Sequence, residues 1–201
     1  MDFHDLEVSV RLTRGKGAAR RLRRAELAPG VIYGKNAAVQ PVTLVPSVLV
    51  KALAGPLRVN TPLNIIVNDP VTKKKSAVLA IVKDHQYDPI TRELLHVDFL
   101  AIDENQHIEV TVPIIKTGRS IGEQMGGILR MVRRNVKVSC TPHNIPESII
   151  IDASQLKNNI TLHVSEVDMP EGVTINLPPN KAILTISAIS NDDDKAEDVK
   201  K

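Results

Sequence analysis

Short stretches in which apolar and polar residues alternate with period two dominate the chain. Leu6, Val8, Val10 and Leu12 alternate with Glu7, Ser9, Arg11 and Thr13, which predicts a half-buried strand with Arg11 on its open face. Arg14-Gly15-Lys16-Gly17 follows as a basic loop, and Ala18 to Leu27 is a strong helix former. Pro29-Gly30 is expected to end that helix, and Val31-Ile32-Tyr33 to start a new strand. Pro46 to Ala54 predicts a short apolar helix, stopped by Gly55-Pro56. Leu63–Val67 and Ala77–Val82 predict two strands, joined through an Asn68-Asp69-Pro70 turn and the Lys73-Lys74-Lys75 run. A loop from Asp84 to Arg92 then leads to a strand over Leu94–Ile102.

That last strand is the most informative. Leu95, Val97, Phe99 and Ala101 share one face, and His96 and Asp98 share the other with Leu94 and Leu100. If Val97 and Phe99 face a core, His96 and Asp98 stand side by side on the outer surface of a sheet. Beyond Ile102 the chain stays strand-rich. Ile108 to Ile114 and Val136 to Cys140 alternate, and Ile149–Ile151, Ile160–Val164, Val173–Leu177 and Ala182–Ile189 are further strand candidates. Gly118–Gly127 is a glycine-rich connection, for which turns and bulges are the default. Asp103-Glu104-Asn105-Gln106 is the expected hinge. These features divide the chain into residues 1–102, residues 103–190 and an acidic tail, 191–201, which lacks apolar periodicity and is expected to be disordered.

Composition narrows the possible functions. Of 201 residues 42% are hydrophobic and 24% charged, enough for a real core and against wholesale disorder. Aromatics make up only 2%, so the core is aliphatic and a multi-aromatic base-stacking platform is excluded. The single cysteine, Cys140, permits no internal disulfide and argues against a cysteine zinc site; its strand parity with Val136 and Val138 makes it a buried apolar residue. No apolar run reaches the roughly 18 residues of a membrane helix. The acidic start Met1-Asp2-Phe3-His4-Asp5 does not resemble a targeting peptide, so a cytoplasmic protein is expected.

The charge is unevenly distributed. Residues 1–100 carry 15 Lys/Arg against 9 Asp/Glu, whereas residues 101–201 carry 11 against 14. Seven of the basic residues (Arg11, Arg14, Lys16, Arg20, Arg21, Arg23 and Arg24) fall within fourteen positions that contain no acid. Such a segment concentrates polyanions and suits phosphate contacts; the alternative is an exposed, solvated helix. With the helix starting at Ala18, Arg20 and Arg21 would stand in its first turn, where the macrodipole disfavours cations unless an external phosphate sits there. No His-Glu-x-x-His, Cys-x-x-Cys or phosphate-loop motif occurs, and His96 and Asp98 have no accompanying nucleophile.

Gly15-Lys16-Gly17-Ala18-Ala19-Arg20-Arg21-Leu22-Arg23-Arg24, then Pro29-Gly30-Val31-Ile32-Tyr33-Gly34, and later Leu95-His96-Val97-Asp98-Phe99 together resemble the bacterial ribosomal protein L-twenty-five family. Thr117-Gly118-Arg119, Gly126-Gly127-Ile128-Leu129, Asn144-Ile145-Pro146 and Met169-Pro170-Glu171-Gly172 resemble the C-terminal β domain of its longer form, the general stress protein CTC type. Arg119 to Met125 departs from the family's usual Gly/Val/Lys-rich stretch.

The resemblance implies an N-terminal, barrel-like α+β domain with short helices, followed by a second β-rich domain. It implies a structural protein of the large ribosomal subunit, binding 5S rRNA at the irregular helix called loop E. The matching RNA-contacting positions are Arg11, Lys16, Arg20, Arg21, Arg23, Arg24, Tyr33, His96 and Asp98. His85 and Tyr87, in the preceding loop, either border that surface or are ordinary loop residues. Neighbouring ribosomal proteins or rRNA are the partners implied for the second domain. No catalytic residue, metal, cofactor, small-molecule substrate or membrane is implied. The rival readings are a stress-linked protein-interaction module and a hydrolase using His96 and Asp98.

Overall fold

A computed structural model describes residues 3–35, 38–70 and 75–187. The acidic tail, Lys73 and Lys74 lie outside the described residues. The chain divides into two compact units, one running to residue 108 and including 140–145, the other comprising 109–139 and the chain from 146 onward. Both are mainly β with few short helices.

The first unit is a closed six-stranded barrel. Its elements in chain order are β1 (His4–Val10), α1 (Lys16–Arg24), β2 (Ala28–Tyr33), β3 (Gln40–Leu44), α2 (Pro46–Ala52), β4 (Leu63–Asn68), β5 (Lys75–Tyr87) and β6 (Leu94–Ala101). The strands follow the order β1-β3-β2-β6-β5-β4 around the barrel, and β1 closes it by pairing parallel with β4. Closure removes the unpaired strand edges that invite aggregation. The period-two residues supply the interior: Leu6 and Val8 from β1 meet Ile65 and Val67 of β4 in register, all four buried. Phe99 and Val97 of β6, Ile32 of β2 and Leu44 of β3 join the same cluster. Strand β2 lies so close to β6 that a Cβ on Gly30 would stand 2.9 Å from the Val97 carbonyl oxygen. Only glycine fits that approach.

Several expectations are corrected here. Strand β1 stops at Val10, so the alternation does not carry to Leu12, which is exposed; Arg11 is half-buried just beyond the strand rather than on an open face. Helix α1 starts at Lys16, because Gly15 supplies a positive φ of 97° at the N-cap and Gly17 is tolerated inside the first turn. It also ends earlier than Pro29-Gly30, which lie within β2. The stop is a Schellman motif: the Leu27 N–H donates to the Leu22 carbonyl at 3.0 Å and the Glu26 N–H to the Arg23 carbonyl at 3.1 Å. Glu26 takes the left-handed seat, with φ of 57°.

Strand β5 runs on to Tyr87, so His85 and Tyr87 are strand residues, not loop residues. The remaining connection is tied by Asp88, whose Oδ1 accepts from the Ile90 N–H at 2.8 Å and the Thr91 N–H at 3.1 Å. These bonds hold its carboxyl below the usual aspartate range, those from Thr91 and Ile90 acting in that order. Strand β3 went unpredicted because Gln40-Pro41-Val42-Thr43-Leu44 is short and carries a proline.

Beyond the barrel the chain forms β7 (Ile108–Thr117), α3 (Ile121–Gln124), β8 (Ile128–Met131), β9 (Asn135–Cys140), β10 (Ile149–Asp152), β11 (Thr161–His163), β12 (Thr174–Ile175) and β13 (Ala182–Ser187), with Ile108 and Cys140 at the ends of their strands that fall in the first unit. Two sheets form, ordered β10-β7-β9-β12 and β11-β13-β8. Val110, Val112, Val136, Val138 and Cys140 are buried, as their alternation requires. Burial also pushes the Cys140 thiol pKa up. The glycine-rich connection is more ordered than turns and bulges alone. Ser120 and Glu123 form a reciprocal capping box that starts α3, and Lys116 Nζ donates to Glu123 Oε1 at 2.9 Å.

Candidate nucleic-acid interface

Strand β6 carries the centre of the site. Its buried face holds Val97 and Phe99, both fully enclosed, so His96 and Asp98 point outward from a fixed backbone. Their side chains touch: Nδ1 of His96 lies 2.8 Å from Oδ1 of Asp98, and both remain about one-third exposed. The carboxylate accepts from the Nδ1–H, which leaves Nε2 as the imidazole atom open to a partner.

Two irregularities in the β5–β6 ladder decide what surrounds this pair. Val82 opposes Phe99 inside the barrel, yet Asp84 opposes Asp98, so Lys83 is an inserted residue. The bulge reverses parity and carries Asp84 and Gln86 to the outer face, with Gln86 directly opposite His96. Further along, Gln86 opposes His96 while Tyr87 opposes Leu94, making Leu95 the extra residue on β6. That second bulge returns Leu94 to the core, against its sequence parity with His96. By the same register His85 and Tyr87 occupy the opposite side of the ribbon from His96 and Asp98, packed edge to face at 5.3 Å.

Strand β2 adds Tyr33. It runs parallel to β6 with Val31 opposite Asp98 and Tyr33 opposite Leu100. Partial burial raises the Tyr33 hydroxyl pKa, and the nearby charges of Asp98 and Asp84 raise it further. The phenol is therefore a neutral donor at any physiological pH.

Helix α1 supplies the cations. Arg21, Arg23 and Arg24 fall in its last turn, where the macrodipole favours them. The expected conflict with the helix N-terminus therefore does not arise for Arg20 and Arg21; it applies only to Lys16, in a first turn without acids. Ala18 is buried and Leu22 half-buried, while Arg20 and Arg24, one turn apart, are exposed. Among the described residues, Lys16, Arg20, Arg21 and Arg24 form no ion pair. Arg23 differs: its Nε and Nη2 donate to the Leu95 carbonyl at 3.2 and 3.1 Å. Arg11 extends the β1–β3 ladder, its N–H donating to the Pro41 carbonyl at 2.8 Å, and its Nε is buried without a partner.

The structure thus joins Tyr33, His96 and Asp98 on one outer barrel face, and ties α1 to the strand that bears two of them. Asp84 and Gln86 share the face and were missed. The sequence offers no signal for them, since the unbroken apolar run up to Val82 contains no alternation to extrapolate.

Two family models between them span most of the chain. Residues 6–99 match the Ribosomal L25p family, and residues 107–190 match the family described as Ribosomal protein TL5, C-terminal domain. The large ribosomal subunit protein bL25 of Syntrophotalea carbinolica is 40% identical over 183 residues, covering 91% of this chain and 86% of that protein. The chain belongs to the bL25 family, in its long, two-domain form. The bL25 proteins of Halothermothrix orenii and Geobacter sulfurreducens are 36% and 33% identical over 190 and 186 residues, covering 94% and 92% of this chain and 84% and 94% of their own lengths. The bL25 family is a family of structural ribosomal proteins, not of enzymes, so the hydrolase reading of His96 and Asp98 falls. Among the described residues no helix is long and apolar enough to cross a membrane.

Proposed function

We propose that this protein binds 5S rRNA in the large ribosomal subunit, at the irregular loop E helix, and resides on the cytoplasmic ribosome. Residues 1–102 carry the contacts in this reading, and residues 103–190 form the second domain. The observation that carries it is the union of an unpaired cationic helix with a rigid hydrogen-bonding face through the Arg23–Leu95 contact. Lys16, Arg20, Arg21 and Arg24 neutralise phosphates, with Arg11 at the margin. Phosphate contacts fix position but carry no sequence information. Tyr33, His96 and Asp98 supply the selective part. They donate to and accept from base edges and 2′-hydroxyls in a widened, shallow groove, since the deep major groove of regular RNA excludes side chains.

The test uses the full chain, titrated with intact 5S rRNA and with a version whose loop E is replaced by regular pairs. Tighter binding to the intact RNA, with affinity falling steeply as salt rises, supports the proposal. Equal affinity for both, or insensitivity to salt, refutes it.

A further inference from the structure

Arg23 stands within the basic segment yet makes a contact its neighbours do not. Its guanidinium straddles one carbonyl, that of Leu95, through Nε at 3.2 Å and Nη2 at 3.1 Å. Leu95 is the inserted residue of the β6 bulge, and it directly precedes His96. A bulge disturbs the strand ladder, and here the bulged carbonyl is taken by a side chain from another element.

The helix also packs against β2, into which it turns through the Schellman bonds. Ala18 is its one buried residue, and its N-cap Gly15 contributes no side-chain bond. Ala19 and Leu22 are half-buried, and the two-pronged bond adds a polar tie near the C-terminal end, in the turn that carries Arg24. We infer that Arg23 is a positioning residue of the RNA site rather than a phosphate ligand: it locks the cationic helix to the strand of His96 and Asp98, so that phosphate contact and groove readout occur in one register.

The inference rests on the RNA-binding reading above, and the experiment separates the two. Arginine forks around an acceptor, whereas lysine is a point charge that cannot. Arg23→Lys keeps the charge and loses the fork; Arg23→Met loses both. Each is compared with wild type and with Arg24→Ala, in the full chain, against intact 5S rRNA and a fully paired RNA duplex, over a salt series. Both Arg23 variants are expected to lose about tenfold in preference for 5S rRNA over the duplex, the worth of a charge-assisted hydrogen bond. Their slopes of log affinity against log salt should match wild type. Arg24→Ala should instead flatten the slope and weaken both RNAs alike.

An Arg23→Lys protein that behaves as wild type, beside an Arg23→Met protein with a flattened slope, would make Arg23 a phosphate contact and overturn the inference. A wild-type chain that does not prefer 5S rRNA would overturn the RNA-binding reading itself. A measurement on the unmodified protein keeps the question open to decision if a variant misfolds. On adding 5S rRNA, the Nε–H resonance of Arg23 should stay in place while those of Arg20 and Arg24 move. Movement of Arg23 as large as theirs counts against the positioning role.

Discussion

Nδ1 of His96 lies 2.8 Å from Oδ1 of Asp98, across the outer face of a strand whose inner face is sealed by Val97 and Phe99. The pairing fixes the imidazole ring, so removing the carboxylate should act through the histidine as well as directly. Asp98→Ala and His96→Ala should each lower the preference for intact 5S rRNA over a loop E-replaced version. Losing a hydrogen bond at a desolvated contact costs on the order of 1–3 kcal/mol, about tenfold in affinity or more. Isothermal titration with both RNAs decides it. Equal losses on the two RNAs, or tighter binding by Asp98→Ala, would remove the readout role.

Arg20 and Arg24 carry no competing ion pair among the described residues, so their charge is free for phosphates. The double variant Arg20→Ala/Arg24→Ala should weaken binding to every RNA helix tested. The salt slope should fall by somewhat less than one unit per lost phosphate contact. A filter-binding series at four or more salt concentrations reads that slope directly. An unchanged slope would make both residues plain surface.

Glu26 occupies a left-handed position, with φ of 57°, at the Schellman turn that ends α1. Side chains with a Cβ pay about 1–2 kcal/mol there, and glycine pays part of that back in lost chain freedom. Glu26→Gly should therefore stabilise the barrel by about 0.5–1 kcal/mol, a rise of a few degrees in melting temperature. Thermal unfolding followed by circular dichroism is the measurement, and a lower melting temperature contradicts the assignment.

Glu123 is held below its ordinary pKa of 4.5, chiefly by the Lys116 ammonium and then by the Ser120 N–H. A folded-state pKa lower than the unfolded value means that the ionised form stabilises the fold. This contribution is complete above pH 4.5 and is lost as pH falls through the lower folded-state value. Glu123→Gln should accordingly narrow the difference in melting temperature between pH 7 and pH 3. If the variant retains the full wild-type acid sensitivity, the capping box is not its source.

Where apolar spacing was regular, the fold was legible. Val97 and Phe99 at period two placed His96 and Asp98 on the outside, and Leu6 and Val8 placed β1. What escaped was every point where the chain breaks its own period. The Lys83 insertion sits at the end of an unbroken apolar run, so nothing in the pattern signals that Asp84 and Gln86 turn outward. The Leu95 insertion is equally silent, because Leu94 and Leu95 are both leucine. Helix α1 starts two residues earlier than its apolar pattern predicts because Gly15-Lys16-Gly17 has the composition of a loop, although Gly17 lies in the first turn. The role of Arg23 was hidden for a different reason: its partner is a backbone carbonyl, and backbone atoms leave no trace in residue identity.

Barrel closure by parallel pairing of β1 with β4 also bears on how the chain is made. Strand β1 can pair with β3 once Thr43 is made, but its parallel ladder has to wait for Asn64, the partner of Asp5. Helix α1 waits longer, since the carbonyl that receives Arg23 lies 72 residues downstream. Contacts so distant along the chain form slowly. During elongation the cationic segment is therefore born without its seat, and the surface it shares with β6 is among the last parts of the barrel to be assembled.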